Sequence, residues 1–339
     1  EEFDWPAGTL ITGKMVAALK RMGFDYVFDT DFAADVTIME EGAELIDRIE
    51  KVTKGDQSVR LPILTSCCPA WVNFFETQYS DLLDLPSTAR SPQQIFGAIA
   101  KSYFSEKMNI PREDMVVVSV MPCLAKKYEV KREEFNSDVD ISISTRELAH
   151  LIKQMNIDFE TLPEEDFDRP LGEGTGAAVI FGTTGGVIEA AVRTAYEKIT
   201  GKTLERLEFE ALRGFEGIRV ATVPIGDMNL NIGIAHGLGN ARVLMDEIRN
   251  GNPRKLHAIE VMACPGGCIG GAGQPYHHGD AEILQKRRQA LYADDKANDM
   301  RKSHENPEVL ELYDCYLKAP LSHKAHELLH TYYKEKKRI

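Results

Sequence analysis

Three short apolar segments of this chain each run directly into a cysteine, and no other feature constrains the fold as strongly. The segments are VRLPILTS (59–66), MVVVSVMP (115–122) and HAIEVMA (257–263). Short apolar runs of this length, bounded by turn residues, are typical of buried strands. In an open parallel sheet, functional sites gather beyond the carboxyl ends of the strands. We therefore expect cysteines from distant parts of the chain to converge there: Cys67, Cys68, Cys123 and Cys264.

The segments between these runs predict an α/β fold. Helical periodicity is present in LITGKMVAALKRMGF (10–24) and in FAADVTIMEEGAELIDRIEK (32–51), whereas DYVFD (25–29) predicts a strand. The acidic, proline-bearing stretch 158–174 predicts a loop and a boundary between lobes. A chain of 339 residues can bury a large core and divide into two lobes.

Composition excludes some classes of partner and compartment. The net charge of −13 argues against binding to nucleic acid, whose phosphates are met by Lys and Arg. No apolar run approaches the roughly 20 residues that span a bilayer. Six cysteines in 339 residues are too sparse for a secreted disulfide scaffold, and four of them lie in Gly/Pro-rich motifs. We therefore predict a metal or cluster site and a cytoplasmic location.

The two adjacent cysteines in TSCCPAW (65–71) cannot easily share one task. Neighbouring side chains of an extended segment point to opposite sides, so both thiolates can hardly serve one metal ion or one face of a cluster. We expect one of Cys67 and Cys68 to be a ligand and the other to do something else.

The remaining cysteines favour an iron–sulfur cluster. The motif Cys264-Pro-Gly-Gly-Cys268 is followed by IGGAGQP, and such a glycine-dense loop lets backbone N–H groups approach a bulky anion. A cubane needs four thiolates, and Cys68 with Cys123 completes the set. Structural zinc is the alternative, although zinc ribbons use two C-x-x-C knuckles that this sequence lacks. Cys315, in an apparently amphipathic helix, is expected to be an ordinary buried cysteine.

A second metal hypothesis rests on HELLH (326–330). This is a literal H-E-x-x-H, in which His326 and His330 would bind zinc and Glu327 would act as the base of a hydrolase. Only nine residues follow it, and no third ligand is evident there. We favour an ordinary C-terminal helix.

Three motifs together resemble the signatures of the iron-only, or [FeFe], hydrogenases: TSCCPAW, MPCLAKKYE (121–129) and EVMACPGGCIGGAGQP (260–275). The resemblance covers nearly the whole chain, 1–339, because further segments also match: SPQQIFGA (91–98), FGTTGGVIEAA (181–191) and RKSHENP (301–307). It implies two lobes with mainly parallel sheets flanked by helices, and an active site in the cleft between the lobes. It also implies the reaction 2H⁺ + 2e⁻ ⇌ H₂.

The implied cofactor is the H-cluster, a [4Fe–4S] cubane joined through one cysteine to a diiron unit with carbonyl, cyanide and bridging dithiolate ligands. By resemblance, Cys68, Cys123, Cys264 and Cys268 ligate the cubane, and Cys268 also bridges to the diiron unit. Cys67 resembles the proton-relay thiol of the family, which answers the question raised by the adjacent cysteines.

Other residues are expected to line the cofactor pocket. Lys126 lies three residues after a ligand cysteine, where a cation could pair with bound cyanide; an ordinary surface lysine is the alternative. Met121 and Met262 each lie two residues before a ligand cysteine, hence on its side of the strand, and could form a soft apolar wall. Gln93 and Phe181 resemble pocket-lining positions of the family.

A proton path is expected along one helix face. Glu41, Glu44 and Arg48 fall at i, i+3 and i+7, so their side chains can lie in a row. A solvated charged face is the usual explanation for such spacing. The resemblance favours the other interpretation, because these positions and Ser87 match the proton pathway of the family.

Some features depart from the family pattern. Alanine stands at Ala70 and Ala272, where many relatives carry glycine, and the upstream segment that contributes to the family's diiron pocket lies outside this sequence. No ferredoxin-like C-x-x-C-x-x-C run is present. Electrons are expected from a ferredoxin, from iron–sulfur or flavin subunits, or from an NAD-linked complex. A hydrogen-sensing or low-turnover cluster-bearing paralogue remains an alternative.

Overall fold

A computed structural model describes residues 1–337 of the chain. Its strands are β1 (Ile63–Leu64), β2 (Val118–Met121), β3 (Ile141–Ser144), β4 (Ile218–Ile225), β5 (Met228–His236) and β6 (Ala258–Met262). The helices of the first half are α1 (Thr12–Arg21), α2 (Thr30–Thr53), α3 (Pro69–Gln78), α4 (Pro92–Ile99), α5 (Ser105–Met108), α6 (Lys126–Glu129) and α7 (Thr145–Gln154). Those of the second half are α8 (Gly176–Val179), α9 (Gly186–Thr200), α10 (Leu238–Arg249), α11 (Ala281–Ala297), α12 (Pro307–Leu312) and α13 (His323–Leu329).

The strands form two separate sheets. The larger has the order β1-β6-β5-β4, in which β6 pairs in parallel with both β1 and β5, while β4 is antiparallel to β5. The smaller sheet pairs β2 with β3 in parallel. The predicted α/β architecture with mainly parallel strands and flanking helices is confirmed. The three cysteine-bearing strands, however, do not share one sheet, because β2 belongs to the smaller one.

Two local predictions were wrong or incomplete. The segment 25–29 is not a strand, because its backbone bonds to a loop: Val27 donates to the carboxylate of Asp168 at 2.7 Å and accepts from its amide at 2.8 Å. The hairpin of β4 and β5 was not predicted, although β4 alternates buried and exposed residues and a two-residue Gly226-Asp227 turn follows it. Period-2 alternation with such a turn is a recognisable hairpin signal.

The long helix α2 lies in the interior and determines where the site can form. Its N-cap is Asp29, whose side chain accepts from the amide of Asp31. One face packs with the larger sheet and α9 through Ile38 and Leu45, and another packs with α4, α12 and α13 through Phe32. A helix covered on several sides carries its polar residues into the protein. The acidic residues in the middle of α2 are therefore buried.

The start of α9 offers a test of this packing. An ideal Cβ at Gly186 would lie 1.8 Å from the carbonyl oxygen of Ile180, whereas one at Gly239 in α10 would meet nothing within 4 Å. Gly186→Ala is expected to destabilise the protein by about 1–3 kcal/mol or more, because backbone must move. Gly239→Ala is expected to be neutral or stabilising by up to about 1 kcal/mol. Urea unfolding of both variants checks this; equal stabilities would contradict the packing described.

Candidate active site

The ends of three strands bring the predicted cysteines to the space between the two sheets. Cys67 and Cys68 follow β1, Cys264 follows β6, and Cys123 follows β2 of the smaller sheet. Two hydrogen bonds tie the sheets together here: Gly273 donates to the carbonyl of Pro122 at 3.0 Å, and Lys126 Nζ donates to the carbonyl of Cys67 at 3.0 Å. The predicted meeting of strand ends therefore occurs across two sheets.

The thiols of four cysteines lie close enough to affect one another's ionisation. Burial raises the pKa of Cys268, and charge on Cys68, Cys123 and Cys264 raises it further. Burial, followed by Cys68 and Cys123, raises the pKa of Cys264 to about 11. Charges interact this strongly only over short distances in a poorly solvated site. These thiols would ionise together only around a strongly positive partner.

Among residues 1–337, no three of these thiols lie within 4.8 Å of one another, as three ligands of one zinc ion would. Thiolates around tetrahedral zinc lie about 3.8 Å apart, because each Zn–S bond is about 2.3 Å. Among residues 1–337, a single group of three Cys, His, Asp or Glu side chains has all its donor atoms within 4.8 Å of one another, and it consists of Glu197, His304 and Glu305. Soft thiolate donors with wider spacing fit a cubane, which binds one cysteine at each of four corners.

Close backbone packing around the C-P-G-G-C loop requires glycine. Gly267 has φ +100°, and an ideal Cβ there would lie 2.7 Å from the amide nitrogen of Thr184. An ideal Cβ at Gly273 would lie 2.7 Å from the amide nitrogen of Cys123. These glycines allow the loop to pack against the turn before α9 and against the segment that carries Cys123.

The two adjacent cysteines have different surroundings. Cys68 is the N-cap of α3; burial raises the pKa of its thiol, while the amides of Ala263 and Trp71 lower it. The pKa of Cys67 is raised well above its usual value by burial, then by charge on Glu41 and on Cys268. Cys67 therefore lies between a buried carboxyl group and the last cysteine of the loop.

The predicted polar pocket residues, Lys126 and Gln93, join one hydrogen-bond network. Lys126 Nζ donates to Glu129 at 2.9 Å; burial lowers the pKa of Lys126, but Glu129, Cys123 and other neighbours raise it overall. Gln93 donates to the same Glu129 oxygen at 2.9 Å and accepts from Ser119 at 2.6 Å. The ammonium of Lys126 thus remains charged beside the thiols.

The predicted apolar residues lie in different places. Met262 is buried in the core with the larger sheet, and Cys67 and Phe181 both pack against that core. Met121 is also buried, but it lines a cavity of about 910 Å³ that runs along β2 and includes Gln93 and Phe96. Cys315 is exposed, which corrects the prediction that it is buried; it lies in the π-helical turn Tyr313–Leu317 after α12.

A chain of buried hydrogen bonds leads from α2 towards Cys67. Ser87 Oγ donates to Glu44 Oε2 at 2.8 Å, and the Ser87 hydroxyl lies near enough to Glu41 to lower the pKa of that carboxyl group. Burial, followed by Glu44, raises the pKa of Glu41 to about 8. Glu41 therefore holds its proton at neutral pH beside a Ser87 hydroxyl that donates to Glu44. The structure brings together Glu41, Glu44, Ser87 and Cys67 as the sequence predicted.

Arg48 closes the outer end of this chain. Its guanidinium donates to Glu44 Oε1 at 2.5 Å and to the carbonyls of Asp84, Leu85 and Pro86 at 3.0–3.1 Å. Both residues of the ion pair are buried. Arg48 therefore fixes the orientation of the Glu44 carboxylate.

The HELLH segment does not have the geometry of a zinc site. Helix α13 ends at Leu329, so His330 has an extended backbone and lies beyond the helical face that carries His326. The two ring nitrogens of His330 contact Thr88 Oγ1 at 2.8 Å and Glu40 Oε2 at 3.0 Å. Glu327 is exposed. The zinc-hydrolase hypothesis is therefore disfavoured.

Sequence reasoning missed several residues of the site. Glu129 pairs with Lys126 at i+3 within the motif MPCLAKKYE, so the spacing was visible in the sequence. Tyr333 donates to the carbonyl of Ser87 at 2.5 Å. Glu260 is fully buried in β6, and its charge contributes to the raised pKa of Glu41. Tyr333 and Glu260 contact the hydrogen-bonded path of Ser87 and Glu41 through tertiary packing, which no local sequence pattern reveals.

Comparison with known families agrees with this site. Residues 1–272 match the model of the iron only hydrogenase large subunit, C-terminal domain, and residues 281–336 match the iron hydrogenase small subunit. The chain belongs to the iron-only hydrogenase family. The resemblance found in the motifs is thereby confirmed.

Individual relatives extend the match over the whole chain. This iron-only hydrogenase chain is 63% identical to the NADP-reducing hydrogenase subunit HndD of Solidesulfovibrio fructosivorans, covering 100% of this chain and 58% of HndD. It is 46% identical to the periplasmic [Fe] hydrogenase large subunit of Nitratidesulfovibrio vulgaris (strain Hildenborough). That match covers 86% of this chain and 69% of the relative. The structure of apo [FeFe]-hydrogenase HydA1 from Chlamydomonas reinhardtii, variant C377H, superimposes with a TM-score of 0.87 at 41% identity. The superposition covers 100% of this chain and 91% of that structure's chain.

The chain thus spans little more than half the length of HndD. Across residues 1–337, none of the helices is long and apolar enough to cross a membrane.

The raised pKa of Glu41 predicts how stability depends on pH. Because the folded state holds this proton up to about pH 8 and the unfolded state releases it near 4.5, Glu41 lowers stability as pH rises between these values. Glu41→Gln removes that loss. The stability of the variant relative to the parent, from urea unfolding of metal-free protein, should rise by about 2 kcal/mol between pH 6 and 8. A pH-independent difference would contradict the assignment.

Proposed function

We propose that this chain is the H-cluster-bearing catalytic part of an iron-only hydrogenase, catalysing 2H⁺ + 2e⁻ ⇌ H₂. One observation carries the proposal. Four thiols from two sheets meet at one place, and a fifth, Cys67, lies between them and a buried chain of carboxyl and hydroxyl groups. A structural metal site has no need of such a chain, whereas a reaction that consumes protons does.

In this proposal Cys68, Cys123, Cys264 and Cys268 would hold the cubane, and Cys268 would also hold the diiron unit. When bound, the H-cluster would pass on electrons from the partner and supply the metal at which protons and H₂ interconvert. The donor chemistry supports it, because thiolates suit iron–sulfur clusters and their spacing exceeds that of a zinc site. Lys126 places a buried cation beside Cys67 and Cys123, where it would stabilise anionic ligands.

The side chains along the hydrogen-bonded path move the proton. Once Cys67 has given up its proton and Glu41 has passed its own proton to the Cys67 thiolate, Glu41 is a carboxylate. A protonated Glu44 can then donate to Ser87 Oγ while the Ser87 hydroxyl proton passes to Glu41, so each group ends with a normal valence. Glu41 then faces Cys67, whose high pKa keeps the thiol protonated and able to donate. Arg48 orients Glu44 rather than carrying the proton.

Electrons are proposed to come from a ferredoxin or from iron–sulfur and flavin subunits. The name of HndD, an NADP-reducing hydrogenase subunit, supports a complex linked to a nicotinamide nucleotide. The sparse cysteines support a reducing compartment such as the cytoplasm. The alternative of a hydrogen-sensing or low-turnover paralogue predicts a bound cluster without appreciable turnover.

The ligand set can be tested by metal content. Anaerobically prepared protein should contain iron and acid-labile sulfide. Cys68→Ala removes one of four thiolates, so iron content should fall and the cubane spectrum should change. Cys315→Ala, at an exposed cysteine outside the site, is the matched control and should retain parental iron. Stoichiometric zinc without iron, or full iron in Cys68→Ala, would refute the ligand assignment.

The relay role of Cys67 predicts a different failure. Cys67→Ala should keep the cubane but lower turnover by about 10²–10⁴, the usual contribution of a positioned proton donor. Cys67→Asp restores a proton-exchanging group and should recover more activity than Cys67→Ala. Hydrogen evolution with a chemical reductant, measured beside iron content, separates the effects. Loss of iron in Cys67→Ala, or parental turnover, would show that Cys67 is not the relay.

A further inference from the structure

The proton chain from Cys67 ends at a group that cannot exchange protons. Beyond Glu44 lies Arg48, whose guanidinium donates to Glu44 Oε1 and to three backbone carbonyls. An arginine side chain stays protonated at any physiological pH and has no acceptor site. Arg48 therefore cannot take a proton from solvent and release it to Glu44. Glu44 needs another neighbour for that purpose.

The other oxygen of Glu44 has such a neighbour. Thr88 donates its amide to Glu44 Oε2 at 3.0 Å, and its hydroxyl lies 3.5 Å from the same oxygen. Thr88 Oγ1 also lies 2.8 Å from Nδ1 of His330. A hydroxyl can accept from an imidazolium and donate to a carboxylate at the same time. Thr88 thus joins Glu44 to His330.

His330 is held firmly on its other side. Its Nε2 lies 3.0 Å from Oε2 of Glu40, which is fully buried. Glu40 also accepts from the Tyr313 hydroxyl at 2.5 Å and from the amide of Leu321 at 2.8 Å. The contact between Nε2 and this buried carboxylate fixes the ring and keeps Nδ1 directed at Thr88.

The outer end of this branch is close to solvent. The exposed ring of His326 lies 4.2 Å from the ring of His330, between centroids. Burial, followed by the neighbouring His330, lowers the pKa of His326, so its ring is neutral at pH 7. Histidine is the side chain whose charge ordinarily changes near neutral pH, which suits uptake from water.

We infer that His330 is a proton-relay residue, and that protons reach Glu44 from the C-terminal segment through Thr88. This inference rests on the proposed function. In the step, the Nδ1 proton of His330 moves to Thr88 Oγ1 while the hydroxyl proton of Thr88 moves to Glu44 Oε2. The imidazolium becomes neutral and the carboxylate becomes a neutral acid, so atoms and charge balance. The HELLH segment thereby acquires a role other than zinc binding.

Further contacts hold His330 in place. Arg90 donates Nε to the His330 carbonyl at 3.0 Å, and the Tyr313 hydroxyl bonds to Glu40, the partner of Nε2. The ring of His330 is therefore fixed from both sides, with Nδ1 left to the hydroxyl of Thr88.

Turnover variants test the branch. Thr88→Val removes the hydroxyl and His330→Gln removes the titrating ring; each should lower hydrogen evolution at least about tenfold and increase the solvent deuterium isotope effect. Thr88→Ser should restore most of what Thr88→Val loses. The double variant Thr88→Val/His330→Gln should be no slower than the slower single variant, because both lie on one path. His323→Gln, an exposed histidine of α13, is the matched control and should keep parental turnover.

A readout without the cofactor separates failure of this inference from failure of the proposed function. In metal-free protein labelled with ¹⁵N-histidine, the ring signals of His330 should show hydrogen bonds at both nitrogens, to Thr88 at Nδ1 and to Glu40 at Nε2. Thr88→Val should change the Nδ1 signal, because it removes the hydroxyl bonded there. Parental turnover in Thr88→Val, or a Nδ1 signal that Thr88→Val leaves unchanged, would overturn the inference even if the enzyme evolves hydrogen.

Discussion

The cost of ionising several neighbouring thiols in a buried place is the constraint on which the rest of the structure depends. Burial and neighbouring charge raise the pKa of Cys264 to about 11 and that of Cys268 further. Such groups ionise only when a positive partner compensates, so the protein holds them ready for a metal cluster. Two sheets, a glycine-rich loop and a buried lysine all serve to hold these few sulfur atoms in one place.

Helix α2 meets the second demand of the site, which is a supply of protons to a buried centre. A helix packed on several faces carries Glu40, Glu41 and Glu44 into the interior, where isolated carboxylates are costly. Each charge is therefore partnered or neutralised. Arg48 pairs with Glu44, His330 with Glu40, and Glu41 keeps its own proton up to about pH 8. The groups that reduce this cost also form the hydrogen bonds along which a proton can move.

Strand ends and motif spacing predicted that the cysteines converge, because these depend on local periodicity and on the rule that strand ends carry sites. The proton path along α2 and the pocket positions Gln93 and Phe181 came from the family resemblance, since spacing alone favoured a solvated face. Motif spacing did not predict that β2 belongs to a second sheet, since strand pairing is decided by contacts distant in sequence. The segment 25–29 failed for the same reason, as its backbone bonds to Asp168. Local pattern likewise cannot show that Tyr333 and His330 meet the proton chain, because they arrive from the far end of the protein.

The central claim is that these thiols hold a cubane joined to a diiron unit through Cys268. Infrared spectroscopy of anaerobically prepared protein, loaded with the diiron unit, tests it most directly. The account predicts sharp bands in the carbonyl and cyanide stretching region that persist through desalting and are absent from Cys268→Ala. A folded protein with an intact cubane that shows no such bands, or a Cys268→Ala variant that retains them, would contradict the account.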